Sequence, residues 1–381
     1  MRIAMVHSSF AVRGGAEYYV RELSRELVAR GHEVRVFCRG SEHREAGDHT
    51  VRRRFSARIP VLRKVFTHLG DLADPTGLSL ADLDGFRPDV VHVHNWQGLG
   101  ILPVARLSRR YPTCHTVHDH AIRDPNNALP QRGGGAPVNA LLALRAAWLA
   151  RQLRDVTPIW PSERTRDLVN ARVPRALRRP GRLIPPMLPM PERDWAPGGR
   201  DVFLFLGALS PHKGISMLLD AWRAVAGEVG GTLLIAGEGP RRDEVEAAVR
   251  ECPSIRYLGH LDTTGKVRAM QEAGWLVFPS QCLETFGMSC AEALKAGRPV
   301  ISSDIASPPA ASEDSVIRFG DLAGLRDALR ASAGISAQRY QEMSASAAAD
   351  GKRLDWAGHV DEVIGTYRAL EAATVSGVGA A

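Results

Sequence analysis

Two glutamates, Glu284 and Glu292, stand in the run Glu284-Thr285-Phe286-Gly287-Met288-Ser289-Cys290-Ala291-Glu292, which continues as Ala293-Leu294-Lys295-Ala296-Gly297-Arg298-Pro299-Val300. Carboxylates only accept hydrogen bonds when ionised, so they cannot bind phosphate but suit the hydroxyls of a sugar or ribose. Between them, Gly287 lets backbone N–H groups approach a ligand, and the helix expected to start there presents partial positive charge to an anion. Taken alone, the same residues fit an ordinary first-turn acid and a second acid on a wet helix face.

A second run, Leu206-Gly207-Ala208-Leu209-Ser210-Pro211-His212-Lys213-Gly214, sets Lys213 at a helix start beside glycine, where an ammonium can meet a diphosphate. Most lysines are simply solvated, so this residue gains meaning only from its company. A third, Arg13-Gly14-Gly15-Ala16-Glu17, follows the first expected strand; paired glycines there permit a tight turn and close backbone approach to phosphate. Other patterns carry less. Gly237-Glu238-Gly239-Pro240-Arg241-Arg242 opens like a dinucleotide fingerprint but ends in arginine. His92 and His94 share a strand face, with His115, His118 and His120 close in sequence, yet strand-end histidines in polar clefts are commoner than metal ligands. No metal is expected. Five scattered cysteines without a C-x-x-C pair argue against a disulfide framework or zinc ribbon and read as reduced thiols.

These residues need strands that end at their loops and helices that begin after them. Apolar runs at 3–7, 34–37, 89–94 and 113–118 read as strands. Helical spacing joins Val20, Leu23, Leu27 and Val28, and recurs over 99–107, 139–153 and 163–170, the last behind Ser162 as N-cap. Strands alternating with helices imply parallel βαβ units. Six prolines between 180 and 197, backed by Gly198-Gly199, cannot continue a helix or central strand and mark a linker. The alternation then restarts, with strands at 202–206, 232–236, 255–258, 276–278 and 300–302 and helices at 214–225, 241–250, 267–273 and 289–296. Helical stretches around 322–331, 338–351 and 358–370 close the chain. The apolar stretch 140–149, interrupted by Arg145, reads as a packed helix rather than one inserted in a membrane.

Length, 381 residues, suits two lobes, and 44% apolar with 24% charged residues excludes disorder, collagen-like repeats and a membrane channel. No run approaches the ~18–20 apolar residues of a spanning helix, and the chain opens on a strand rather than a signal peptide, so an unprocessed cytosolic protein is expected. The net charge of +7 is unevenly spread: residues 1–190 hold 30 basic and 17 acidic side chains, residues 191–381 hold 19 and 25. Arginine supplies 44 of the 49 bases, a bias that makes basicity weak support for nucleic acid, and none is expected as a partner. The basic half instead favours an anionic partner or membrane surface, with Arg52-Arg53-Arg54 and Arg63-Lys64 as contacts.

In order, GGAE with its amphipathic helix and RGHEV, then HVHN and HTVHD, resembles the N-terminal half of family 4 retaining glycosyltransferases. LGALSPHKG, LLIAGEGPRR and the E-x7-E stretch with EALKAGRPVI resemble the second half, so the likeness runs from about Met1 to Leu370. It implies an α/β, GT-B fold: two Rossmann-like doubly wound domains facing each other across a cleft. The acceptor-side domain would be 1–186 and the nucleotide-sugar domain 187–381, with the final helix, about 357–372, packing back on the first. The implied activity is retaining transfer of a hexose-type sugar from a nucleoside-diphosphate sugar, UDP foremost, to a hydroxyl of a lipid-linked, phosphorylated or glycan acceptor, with no metal or other cofactor. By the same resemblance Glu284 contacts donor-sugar hydroxyls, Phe286, Gly287 and Met288 add backbone contacts, and Glu292 holds the ribose. Lys213 balances the leaving diphosphate, Gly14 and Gly15 approach it, and His118 matches a histidine near the anomeric centre. Two departures stand out. Ala208 occupies the usual place of an arginine, with His212 and Arg13 as the nearest substitutes, and Asp304-Ile305-Ala306-Ser307-Pro308-Pro309 replaces a glycine pair. The missing arginine favours a non-catalytic nucleotide-sugar-binding subunit as an alternative, and a GT-B epimerase or phosphorylase is a rival within the same fold. The expected location is cytoplasmic, with peripheral attachment at the inner face of a membrane.

Overall fold

The computed structural model describes residues 1–8, 14–38, 49–50, 68–125, 135–191, 193–306, 308 and 310–378. Arg13, Arg52-Arg53-Arg54, Arg63 and Lys64 lie outside them. The chain divides into two units, Met1–Pro186 with Ala357–Ala381, and Met187–Trp356.

In the first unit, β1 (Arg2–His7), β2 (Glu33–Cys38), β3 (His49–Thr50), β4 (Val90–Val93), β5 (Thr113–Thr116), β6 (Thr157–Trp160) and β7 (Arg182–Leu183) form one sheet ordered β3-β2-β1-β4-β5-β6-β7. Every pairing is parallel. Ile3-Ala4-Met5-Val6 is apolar without alternation because helices cover both faces, leaving these residues fully buried. The connecting helices are α1 (Gly15–Ala29), α2 (68–73), α3 (Leu80–Phe86), α4 (Ile101–Leu107), α5 (Ala136–Gln152) and α6 (Glu163–Asn170). On α1 the buried residues Tyr19, Val20, Leu23 and Leu27 recur at helical spacing. Ser162 caps α6, accepting a hydrogen bond from the Thr165 amide at 3.2 Å.

The second unit repeats the plan. Its sheet, ordered β10-β9-β8-β11-β12-β13, joins β8 (Gly199–Leu206), β9 (Thr232–Ala236), β10 (Ile255–Gly259), β11 (Ala273–Phe278), β12 (Val300–Ser303) and β13 (Val316–Phe319), again all parallel. Helices α7 (Ile215–Val229), α8 (Arg242–Glu251), α9 (Thr263–Glu272), α10 (Met288–Lys295), α11 (Leu322–Gly334) and α12 (Ala337–Lys352) surround it. Trp222 and Trp275 fill its core, and buried Arg298 is satisfied by the carbonyls of Met270 and Ala196 at 2.8 and 2.7 Å. The last helix, α13 (Trp356–Val378), returns to the first unit, where Val360, Val363 and Tyr367 are buried.

Both strand orders reverse between the first and fourth strands of a unit, β1/β4 and β8/β11. Loops leaving the carboxyl ends of such neighbours diverge to opposite faces and leave a crevice suited to ligands. Among the features that differ from the sequence reading are β7 and the outer face of α5. The proline-rich stretch does hold a strand, β7, which is short and lies at the sheet edge, where prolines nearby remove no ladder bonds. Helix α5 buries only Ala146, Leu149 and Ala150, while Val138, Leu141, Leu144 and Trp148 on its outer face stay exposed.

Candidate active site

At the β8/β11 switch point the loop 207–214 leads from β8 to α7, and the loop 279–287 leads from β11 to α10. The loops are laced together: the Gln281 amide donates to the His212 carbonyl at 2.8 Å, and Ser280 Oγ lies 3.2 Å from the same oxygen. Gly214 has φ +75°, and a Cβ there would stand 1.9 Å from the Pro279 carbonyl oxygen, so only glycine lets the loops meet this closely. The meeting brings Lys213 Nζ to 2.7 Å from Glu284 Oε1.

The environment keeps both groups charged. Burial pushes the Glu284 carboxyl up, but the Lys213 ammonium and the hydrogen bonds from Lys213 and Ser280 outweigh it and hold the pKa below the usual carboxylate value. Burial acts to lower Lys213, and Glu284 more than reverses it, leaving the ammonium above its ordinary value. Glu284 is buried, while 28% of the Lys213 side chain stays exposed, so the ammonium has donors left for a second anion.

Gly214→Ala is expected to destabilise the second unit by more than the roughly 1–3 kcal/mol of left-handed strain, because the close approach adds to it. Gly227→Ala, inside α7 with open space around it, is expected to stabilise by about 0.4–1 kcal/mol. Urea denaturation of the two variants checks the contrast.

Farther along, Glu292 lies inside α10 and is buried rather than on a wet face, and Lys266 of α9 donates to its Oε1 at 2.9 Å. Lys266 escaped the sequence reading. Its signal was rarity: in a chain of five lysines and 44 arginines, two of the lysines stand on the two glutamates. Gly287 is the N-cap of α10 with φ +86° and no side-chain cap, which leaves the first amides of the helix to other acceptors. Phe286 turns inward to pack with Met187, Ala291 and Leu354, anchoring the loop, with Met288 against the same cluster. Ala208 supplies no charge. His212 is exposed with its Nε2 3.3 Å from Ser210 Oγ, and burial and the Lys213 charge lower its pKa, so it offers a hydrogen bond rather than a fixed cation.

The remaining sequence candidates belong to the other unit. Gly14 is the N-cap of α1 with extended backbone (φ −152°) and Gly15 is helical, so neither uses the left-handed freedom of glycine. One turn on, the Tyr19 ring meets His118 edge-on with centroids 5.2 Å apart. His118, half-buried just beyond β5, has Nε2 3.2 Å from His94 Nδ1. His92 Nδ1 lies 2.6 Å from Tyr367 Oη and its Nε2 2.8 Å from Thr116 Oγ1, while Tyr19 Oη is 2.9 Å from His359 Nε2. Burial and then neighbouring histidines push His94 and His118 well below the usual imidazole value, and burial takes His92 to about 3 and His115 and His359 to about 4. His118 is therefore a neutral hydrogen-bonding ring at neutral pH. Among the described residues, no group of three or more His, Cys, Asp or Glu is arranged to hold a metal ion.

Residues 13–189 match the profile of "Glycosyltransferase Family 4", and residues 200–333 that of "Glycosyl transferases group 1". Phosphatidyl-myo-inositol mannosyltransferase of Mycobacterium leprae is 28% identical over 378 residues, 97% of each chain. Glycogen synthase of Mycobacterium tuberculosis is 28% identical over 353 residues, 80% of this chain and 78% of that one. Sucrose-phosphate synthase from Thermosynechococcus elongatus shares the fold with a TM-score of 0.73 at 18% identity, over 98% of this chain and 100% of that one. HepE of Anabaena, in complex with UDP and glucose, gives 0.69 at 14% identity over 97% and 100%. Two adjoining profiles, relatives matched along the whole length and a shared GT-B architecture leave one assignment: the chain belongs to glycosyltransferase family 4 and is a glycosyltransferase.

Proposed function

We propose that the chain is a retaining hexosyltransferase that moves a sugar from a nucleoside diphosphate, UDP foremost, to an acceptor hydroxyl. The observation that carries this reading is the Lys213–Glu284 pair at the β8/β11 switch point. The Lys213 ammonium, on a side chain that is only partly exposed, suits a diphosphate, and the ionised carboxylate suits a sugar hydroxyl. In the same reading the uncapped start of α10, with Gly287 and the amides beside Phe286 and Met288, adds N–H donors, and Glu292 takes the ribose hydroxyls. Gly14 and Gly15 offer backbone to the diphosphate, and neutral His118 donates a hydrogen bond near the anomeric carbon.

The reaction needs no nucleophile from the protein. The bond from the anomeric carbon to the diphosphate oxygen breaks, the acceptor oxygen bonds to that carbon on the same face, and its proton passes to the departing diphosphate. Lys213 and the helix amides stabilise the charge that develops there. No metal or other cofactor forms part of the proposal. Support for the donor class comes from HepE, described with UDP and with UDP-glucose. Support for a hexose comes from relatives named as mannosyltransferases and glycogen synthase. A relative named for phosphatidyl-myo-inositol, together with 30 bases against 17 acids over residues 1–190, supports a membrane-linked anionic acceptor reached by a cytoplasmic, peripheral protein. Among the described residues no helix is long and apolar enough to cross a membrane.

Thermal shift against UDP-, GDP-, ADP- and dTDP-sugars tests the donor. A ligand at a hundred times its Kd stabilises by about 2.7 kcal/mol, so a rise in Tm of about 5 °C or more is expected with a UDP-hexose. No shift with any sugar nucleotide would overturn the reading. Ala208, which leaves one cation missing, favours a second reading as a non-catalytic nucleotide-sugar-binding subunit. Hydrolysis or transfer of the sugar by the purified chain rejects it.

A further inference from the structure

Helix α5 combines two properties that a free surface helix rarely shows together. It contains no acidic residue, its only charges being Arg145 and Arg151. Its outer face also exposes Val138, Leu141, Leu144 and Trp148, with Leu141 at 67% and Leu144 at 70%, while Ala146, Leu149 and Ala150 hold the inner face to the core. At 100° per residue the exposed four fall on one stripe. Four of the seven large apolar side chains exposed among the described residues thus lie on one helix, and a fifth, Leu69, lies on α2 one turn before Leu72. The Leu72 carbonyl accepts the Trp148 indole N–H at 3.3 Å, which satisfies the polar atom of the ring and leaves its apolar body outward.

The charges around the stripe choose the occupant. Arg151 is exposed at the end of the helix, and Arg172 reaches the first turn, where it donates to Asn139 Oδ1 at 3.0 Å. A second copy packed face to face about a twofold axis would set these arginines against themselves with no carboxylate on either helix. An anionic bilayer supplies both an apolar layer for the leucines and phosphates for the arginines, and the basic excess over residues 1–190 draws the same surface.

We infer that α5 docks the chain on anionic lipid bilayers, lying in the interface with Leu141, Leu144 and Trp148 toward the acyl chains and Arg151 and Arg172 at headgroup level. This deepens the proposed membrane-side acceptor, but it is tested without donor or acceptor, so either can fail alone.

The test is flotation of the full chain with phosphatidylcholine vesicles, with and without about one-third phosphatidylglycerol, beside sedimentation velocity of the free protein. The wild type is expected to float with the anionic vesicles and to lose much of that binding in high salt. Leu141→Glu/Leu144→Glu is expected to lower partitioning by at least about tenfold, since both positions are exposed and each change removes apolar contact and adds repulsion. Leu141→Phe/Leu144→Phe is expected to retain binding, as is Val28→Glu, which removes an exposed apolar residue of α1 instead. Equal flotation of wild type and the double-glutamate variant would overturn the inference. So would failure of the wild type to bind anionic vesicles, or a monomer–dimer equilibrium that the double-glutamate variant abolishes without any vesicle binding.

Discussion

Glu284→Gln is expected to lower the rate of sugar transfer by roughly 10²–10³-fold while the chain folds and still binds nucleoside diphosphate. Glutamine keeps the volume of the side chain and an oxygen for Lys213, now 2.7 Å from Glu284 Oε1, so packing in the loop 279–287 survives. What disappears is the charge on a carboxylate that Lys213 and Ser280 hold ionised despite burial. An acceptor aimed at donor hydroxyls, whose hydrogen bonds strengthen as the anomeric carbon gains positive charge, acts mainly in the transition state. The loss should therefore fall on kcat more than on the KM for donor. Steady-state kinetics at neutral pH measures it, and wild-type rates from folded Glu284→Gln protein would discard the assignment. The pair also has a pH signature. The depressed pKa of Glu284 gives stability that is present above the ordinary carboxylate value and lost as pH falls through the folded one. The raised pKa of Lys213 gives stability present below the ordinary ammonium value and lost only as pH rises through the folded one. Any stability deficit of Glu284→Gln should thus be constant through neutral pH and vanish in acid.

Acid should unfold the first unit before the second. Four imidazoles buried there, His92, His94, His115 and His359, are held neutral, with pKa values of about 3 for His92 and about 4 for His115 and His359 and a strongly lowered one for His94. Their folded values lie below that of a free imidazole, so their penalty is absent above the ordinary value. It grows as pH falls below that value, because the unfolded chain takes up protons that the folded unit refuses. Each such group removes up to about 1.4 kcal/mol per pH unit below the ordinary imidazole value, so four together remove up to about 5–6 kcal/mol per pH unit, comparable with a total stability of roughly 5–15 kcal/mol. The second unit holds only His212 and His260. Scanning calorimetry from pH 7.5 to 5 is expected to show one transition falling steeply and a second holding. A pair of transitions that both stay flat would contradict the neutral histidine cluster.

The parts of this protein that the sequence made legible are those where chemistry and local pattern coincide. Lys213 and Glu284 each follow a recognisable apolar strand and precede a helix, and the glycines at 214 and 287 mark the loops; the parallel βαβ order then puts their strands side by side. Pairings made only by tertiary packing were not legible. Lys266 reaches Glu292 between two helices, His92 meets Tyr367 across 275 residues, and Tyr19 meets His359 across 340. No local spacing encodes such contacts. β13 escaped because Arg318 interrupts its apolar residues, and β7 because prolines surround it. The outer face of α5 escaped for a different reason: Leu141 and Leu144 contribute the same apolar pattern whether a core covers them or solvent does.

Calorimetric titration of UDP into the wild type, Lys213→Ala and Glu284→Gln proteins addresses the diphosphate site itself. Binding should weaken by at least about tenfold when the ammonium is removed. It should persist or tighten in Glu284→Gln, where Lys213 no longer shares its charge with a carboxylate 2.7 Å away. Equal affinity of Lys213→Ala and wild type, with both proteins folded, would contradict the account.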